Sequence, residues 1–253
     1  MSENVLNEAR RIGFGSINLD LIYGLPYQTP DSFAETLEQV IEMSPDRLSV
    51  FSYAHMPQRF YPQTRIKDDT LPSAADKLRI LHNTINRLLE AGYQYIGMDH
   101  FAKPDDSLAI AQRNGRLHRN FQGYTTHSGC DLVSLGVSAI GQTENAFFQN
   151  DHDLPTYEAR IDASQLAIKR GVRISPDDRV RRWVIEQLIC QFRLDRGEFS
   201  SRFDLDFDRY FSDEMHRLGP MIEDGLIREN GDSLDVLPPG RLLIRAICQI
   251  FDA

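Results

Sequence analysis

Cysteine is scarce in this chain of 253 residues, which holds only Cys130, Cys190 and Cys248, roughly sixty residues apart. An odd, dispersed set of this kind builds neither a disulfide framework nor a zinc ribbon. Positive charge is also in deficit. The 28 Lys and Arg against 37 Asp and Glu leave a net charge of −9 and a pI of about 5.3. A surface for nonspecific nucleic-acid binding or for an anionic membrane needs the opposite sign. No apolar run reaches the ~20 residues of a membrane span. Met1-Ser2-Glu3-Asn4 does not lead from a basic segment into an apolar core, so no secretory signal is expected. Internal repeats and low-complexity tracts are missing too. Together these absences lead to the expectation of a cytoplasmic protein with no membrane and no nucleic-acid partner.

What is present is a substantial core-forming fraction, 41% hydrophobic with 9% aromatic. That suits one large domain, or one medium and one small. The most informative stretch is the apolar run Ser16-Ile17-Asn18-Leu19-Asp20-Leu21-Ile22-Tyr23, closed by Gly24-Leu25-Pro26. Thr29 and Pro30 then supply a cap and a first helical residue. This reads as a βα unit of a parallel sheet, with Asp20 near the carboxyl end of its strand, where α/β enzymes place their ligands. An ionised carboxylate in an apolar strand needs a partner.

Phe33, Leu37, Val40 and Ile41 form the stripe of the first helix, and Arg47–Tyr53 the next strand. Pro72-Ser73 opens a second helix whose buried face is expected at Leu78, Leu81, Ile85, Leu88 and Leu89, with Gly92 ending it. A third strand follows at Tyr93–Asp99. Alternation of this kind predicts right-handed βαβ crossovers. Asp105–Arg113 suits a short helix. His118–Thr126 has no clear period, the small and apolar run Asp131–Ile140 suits a cover over the mouth of a sheet, and Tyr157–Arg170 is expected to be helical.

From Ser175 the pattern becomes helix, helix, a hairpin signalled by Asn230-Gly231, and a last helix after Pro238-Pro239-Gly240. This suggests a small winged-helix-like α+β domain over 174–253, preceded by an α/β domain over 1–173. Residues 174–253 carry 11 basic against 16 acidic side chains, net −5. That sign speaks against phosphate contacts.

Among chemistry-bearing residues, Cys190 and Cys248 lie in apolar helical patterns and read as core. His127 and Cys130 have the spacing of a metal-ligand pair, with no second pair nearby. Asp20 leaves two readings open: a carboxylate satisfied by backbone N–H groups or an arginine, or an acceptor for a ligand hydroxyl or amine. Ala54, small and at a strand end, allows a ligand close to the backbone or is ordinary packing. Ile140 is an apolar wall or core. His55, His100, His118 and Arg119 sit in or beside loops.

The blocks NLDLIYGLPYQTPDSF (18–33), PDRLSVFSYAHMP (45–57), YIGMDHFAKPDD (95–106), LHRNFQGYTT (117–126) and GVSAI (136–140), with RLLIRAICQIFD (241–252), resemble oxygen-independent coproporphyrinogen III oxidase (dehydrogenase) along essentially the whole chain. The DLIYGLP block is shared with haem chaperones of the same radical superfamily, whereas HRNFQGYTT points to the oxidase. The resemblance implies the C-terminal part of a partial (βα)6 radical-SAM barrel followed by the winged-helix-like domain. It implies S-adenosylmethionine and a 4Fe-4S cluster as cofactors, coproporphyrinogen III as substrate, and an electron donor as partner. The family converts two propionates to vinyl groups with loss of carbon dioxide. Carried over residue by residue, the S-adenosylmethionine contacts are Asp20, Ala54 and Ile140. The tetrapyrrole's four carboxylates make cations such as Arg119 reasonable partners.

The family's Cys-x-x-x-Cys-x-x-Cys loop and Gly-rich segment have no counterpart here. The expectation is therefore an inactive piece of the oxidase that binds no cluster by itself and leaves apolar sheet surface open. The alternative is a haem-binding or haem-chaperone relative without catalytic activity. A third reading, a winged-helix regulator, conflicts with the acidic C-terminal region.

Overall fold

The computed structural model describes residues 2–252, and they divide into two compact units, the first ending at Arg113 and the second beginning at Asn114. The first unit begins with helix α1 (Ser2–Arg11) and continues through β1 (Asn18–Tyr23), α2 (Pro30–Met43), β2 (Arg47–Ser52), α3 (Ala74–Glu90), β3 (Gln94–Gly97), β4 (His100–Ala102) and α4 (Ser107–Arg113). α2 starts where Thr29 and Ser32 each accept the other's backbone N–H, with Pro30 as the first helical residue. Its Phe33, Leu37 and Val40 are buried. Ser73 caps α3 by accepting the Asp76 N–H. The buried stripe of α3 is Ile80, Thr84 and Leu88, rotated from the face expected from sequence. Leu78 and Leu89 are exposed, because they fall outside the i, i+4 row that faces the sheet.

The sheet runs in the order β1-β2-β4-β3. β1 and β2 are parallel, with Asp20 opposite Ser49. The third strand expected at Tyr93–Asp99 forms as β3 and runs in the direction of β1 and β2, but it does not pair with them; an additional strand lies between. The chain reverses through Gly97 (φ 146°) and Met98 (φ 54°), and β4 returns antiparallel between β2 and β3. The positive φ values permit a reversal that the apolar pattern alone did not announce. Asp106 ties the strand ends together, accepting from Arg47 Nε at 2.9 Å and Ser16 Oγ at 2.9 Å.

The second unit opens with the hairpin β5 (His118–Asn120) and β6 (Gly123–Thr125). It continues with β7 (Ile140–Gln142), β8 (Ala146–Asn150), α5 (Leu154–Asp162) and β9 (Ile168–Arg173). The helix expected over Tyr157–Arg170 ends at Asp162, and the residues after it form β9, antiparallel to β8. Gly171 allows that pairing: a Cβ there would stand 2.9 Å from the Phe147 carbonyl oxygen.

Then come α6 (Pro176–Gln191), β10 (Arg193–Asp195), α7 (Arg196–Phe203), α8 (Phe207–Tyr210), α9 (Ser212–Glu223), β11 (Ile227–Asn230), β12 (Ser233–Val236), α10 (Pro238–Leu242) and α11 (Ile244–Ile250). β12 lies between β10 and β11, antiparallel to both. Asn230 pairs with Ser233, so the turn residues are Gly231 and Asp232, one place beyond the expected Asn-Gly. Phe199, Phe207, Phe211 and Phe251 are fully buried, with Phe207–Phe211 and Phe211–Phe251 centroids 5.1 and 5.4 Å apart. Arg181 stacks over Phe211 and bonds to Asp177 and Glu214.

Candidate functional site

In the first unit, β1 alternates. Leu19, Leu21 and Tyr23 turn to the packed side, where Tyr23 meets Phe33 of α2. Asn18, Asp20 and Ile22 are exposed on the other face. Asp20 is the third of the six strand residues, not the carboxyl-terminal one. β1 runs on to Tyr23 because the ladder with β2 continues, the Tyr53 N–H donating to the Tyr23 carbonyl at 2.7 Å. Nor is Asp20 shut in an apolar interior. Ser49 Oγ donates to Asn18 Oδ1 at 3.2 Å, and Asn18 Nδ2 donates to Asp20 Oδ1 at 2.6 Å. This polar chain orients the carboxylate and leaves its second oxygen without a partner among the described residues. An ionised carboxylate accepts only, so what it offers is an acceptor for hydroxyl or amine donors. Ser49 is in register with Asp20 on one side and His100 on the other, and His100 meets the Phe51 ring edge-on at 6.0 Å.

Ala54 is exposed just past β2, in a loop that a side chain holds in place. Gln63 Nε2 donates to the Ala54 carbonyl at 3.1 Å, and Gln63 Oε1 accepts the Met56 N–H at 2.6 Å. Gln28 does the same after β1, its Oε1 accepting the Gly24 N–H at 2.6 Å. Sequence reasoning missed both glutamines. Gln28 stands five residues past β1, whereas Gln63 stands eleven past β2 in a short helical turn (Tyr61–Arg65), so the sequence carried a signal only for Gln28. His55 is held by Asp68 at 3.0 Å.

Ile140 belongs to the second unit, as the half-buried first residue of β7. It lines a shallow cavity of about 240 Å³ with Phe147 and Phe148. His118 Nδ1 is 3.4 Å from Glu186, which also accepts from Arg182 at 3.0 Å. Arg119 lies over the Tyr124 ring, 5.6 Å from its centroid. The structure thus brings Asp20 and Ala54 into one unit and Ile140, His118 and Arg119 into the other.

Cluster ligation needs thiolates. Cys190 and Cys248 are buried and Cys130 exposed. Burial pushes both buried thiols up, Cys248 to about 12. No group of three or more His, Cys, Asp or Glu side chains among the described residues is placed to hold a metal ion. The chain's own cysteines therefore do not fit a 4Fe-4S cluster. The Ser49–Asn18–Asp20 chain does fit a hydroxyl- and amine-bearing ligand such as S-adenosylmethionine. No described helix is long and apolar enough to cross a membrane.

Residues 174–243 match the family described as the HemN C-terminal domain. The fold is a mixed α/β one that superposes on the structure titled "Coproporphyrinogen III oxidase (HemN) from Escherichia coli is a Radical SAM enzyme". The TM-score is 0.96 at 52% identity, covering 100% of this chain and 58% of that one. This places the chain in the class of radical-SAM-related α/β proteins. Two curated relatives are both named oxygen-independent coproporphyrinogen III oxidase. One, from Pseudomonas aeruginosa, is 54% identical over 99% of this chain and 55% of its own length. The other, from Thermostichus vulcanus, is 47% identical over 98% of this chain and 77% of its own length. The chain belongs to the oxygen-independent coproporphyrinogen III oxidase family. It spans about half the length of several of the curated relatives it matches.

Proposed function

We propose that this chain supplies part of the ligand-facing machinery of an oxygen-independent coproporphyrinogen III oxidase. In this reading residues 1–173 are the C-terminal part of a partial (βα)6 radical-SAM barrel and residues 174–253 a winged-helix-like domain. The helix–strand–helix–helix–helix–hairpin order from α6 to β12 supports the second assignment. The reaction is the oxidative decarboxylation of coproporphyrinogen III to protoporphyrinogen IX, carried out in the cytoplasm with an electron donor. S-adenosylmethionine supplies the hydrogen-abstracting group once reduced by a 4Fe-4S cluster whose ligands lie outside these cysteines. Asp20 would accept from hydroxyl or amino groups of S-adenosylmethionine, Ala54 would leave room for it beside the backbone, and Ile140 would give an apolar contact.

The observation that carries this reading is the exposed carboxylate of Asp20, oriented by Asn18 and Ser49 and with one oxygen unengaged. Calorimetric titration of the chain with S-adenosylmethionine tests it. Binding is expected, weakened about tenfold or more in Asp20→Ala, as loss of a charge-assisted hydrogen bond implies. Absence of binding, or equal binding by the variant, would overturn the assignment. Tight haem binding in its place would favour the haem-chaperone alternative. Anaerobic reconstitution followed by iron and sulfide analysis is expected to give no stoichiometric cluster.

A further inference from the structure

Arg119 is an unusual cation in the second unit. It stands in the middle of β5, opposite Tyr124 in register. Its guanidinium lies over the Tyr124 ring, and that ring is itself fixed by a hydrogen bond from its hydroxyl to the Ile189 carbonyl at 3.1 Å. Arg119 Nε is buried and has no hydrogen-bond partner among the described residues. The guanidinium makes no ion pair with any described residue. A buried charged donor without an acceptor is costly, and guanidinium geometry matches a carboxylate through two parallel N–H bonds.

The surroundings say what kind of acceptor fits. Arg119 borders a cavity of about 560 Å³ walled by Phe121, Phe147, Ile174, Ile185 and Ile189. The other guanidiniums around it differ in state. Arg181 is held by Asp177 and Glu214, and Arg182 by Glu186. Exposed Arg173, on the rim, has no ion pair among the described residues. The carboxylates on the wall are not available to Arg119 either. Glu186 serves Arg182 and His118, Asp178 accepts the Ser175 N–H, and Asp252 is exposed at the C-terminal end. Apolar wall residues beside a partly desolvated guanidinium without an ion pair, among a lining that also carries polar and charged side chains, favour a hydrophobic body bearing a carboxylate arm. They disfavour a small inorganic anion, whose hydration the apolar walls cannot replace.

We infer that Arg119 anchors a propionate carboxylate of the tetrapyrrole, with the ring system lying against the apolar wall of this cavity. This rests on the coproporphyrinogen reading proposed above. It adds a specificity residue that is distinct from Asp20, Ala54 and Ile140.

The test uses the 253-residue chain and coproporphyrin III, the air-stable oxidised form of the substrate, with its tetramethyl ester as the carboxylate-free control. Binding is followed by fluorescence. The wild-type chain is expected to prefer the free acid over the ester by about tenfold or more. Arg119→Ala should lose that preference, and Arg119→Lys should keep part of it, since a point charge replaces the fork. Excess inorganic phosphate should not compete. Equal binding of acid and ester by the wild type overturns the inference with no variant needed. So does an Arg119→Ala chain, folded by circular dichroism, that keeps the preference, and so does failure to bind either porphyrin. S-adenosylmethionine titration reports separately on the underlying reading. If Asp20→Ala weakens that ligand while the porphyrin ignores Arg119, only the inference falls. If S-adenosylmethionine does not bind, the reading fails.

Discussion

The β1–β2 sheet of the first unit and the α6–α11 region of the second use similar elements to opposite ends. On the sheet, β1 is exposed along one face while the other is packed. Leu48 and Val50 are fully buried, while Asn18 and Asp20 stand exposed in a hydrogen-bonded row with Ser49. In the α6–α11 region the large side chains converge. Phe199, Phe207, Phe211 and Phe251 form an aromatic core, and its charged neighbour Arg181 is paired rather than left open. Local stability follows buried apolar area, whereas ligand chemistry needs unsatisfied polar groups. The comparison therefore predicts that stability and ligand affinity respond to mutations in different places.

The largest expected effect is on the aromatic core. Phe211→Ala removes a fully buried ring that touches Phe199, Phe207 and Phe251 and should cost about 3–5 kcal/mol in urea unfolding. A smaller loss would mean the core collapses around the vacancy. Next is Gly240. A Cβ there would stand 2.1 Å from the Leu226 carbonyl oxygen, and backbone cannot yield as a flexible side chain does. Gly240→Ala should destabilise by about 1–3 kcal/mol. A variant as stable as wild type would show that α10 shifts freely.

A milder effect comes from pH. Burial holds the Cys248 thiol neutral up to about 12, against an ordinary value of 9.0, and pushes Cys190 up as well. The unfolded chain ionises these thiols first. Their contribution is thus complete below about 9 and is lost as pH rises toward 12. The urea midpoint should decline on the alkaline side, and Cys248→Ala should flatten part of that decline. An unchanged slope would move the alkaline sensitivity elsewhere, Tyr93 in the first unit being the alternative, since burial also pushes it up to about 12.

How much of this was legible in the sequence depends on range. Caps and stripes were read correctly where local chemistry decides: the Thr29 and Ser73 caps, the α2 stripe and the hairpin within one residue of its turn. The reading failed where a distant partner decides. β9 has helix-compatible residues, yet Gly171 lets it lie against Phe147. β4 exists because Gly97 and Met98 turn the chain back onto β2. At the candidate site, the residue types at Asp20, Ala54 and Ile140 were visible, but not the exposure of Asp20. Arg119 was visible as a cation near a loop. That its Nε is buried without an acceptor follows from Tyr124 and the cavity, which no spacing encodes.

The smallest stability effect is expected at Asp20, and it tests the comparison most directly. Asp20 is exposed, and among the described residues its side chain accepts only from Asn18. Asp20→Ala removes no buried area and strands no buried donor, because the Asn18 amide can turn to water. Its cost in urea unfolding should stay within about 0.5 kcal/mol. The same variant is expected to lose about tenfold in affinity for S-adenosylmethionine. If Asp20→Ala instead destabilises the chain by as much as Gly240→Ala, the carboxylate is a structural acceptor. The polar face of the first unit would then be packing chemistry like that around Arg181. If stability holds while affinity falls, the open row of Ser49, Asn18 and Asp20 is kept for a ligand, and the two regions differ in purpose as well as in packing.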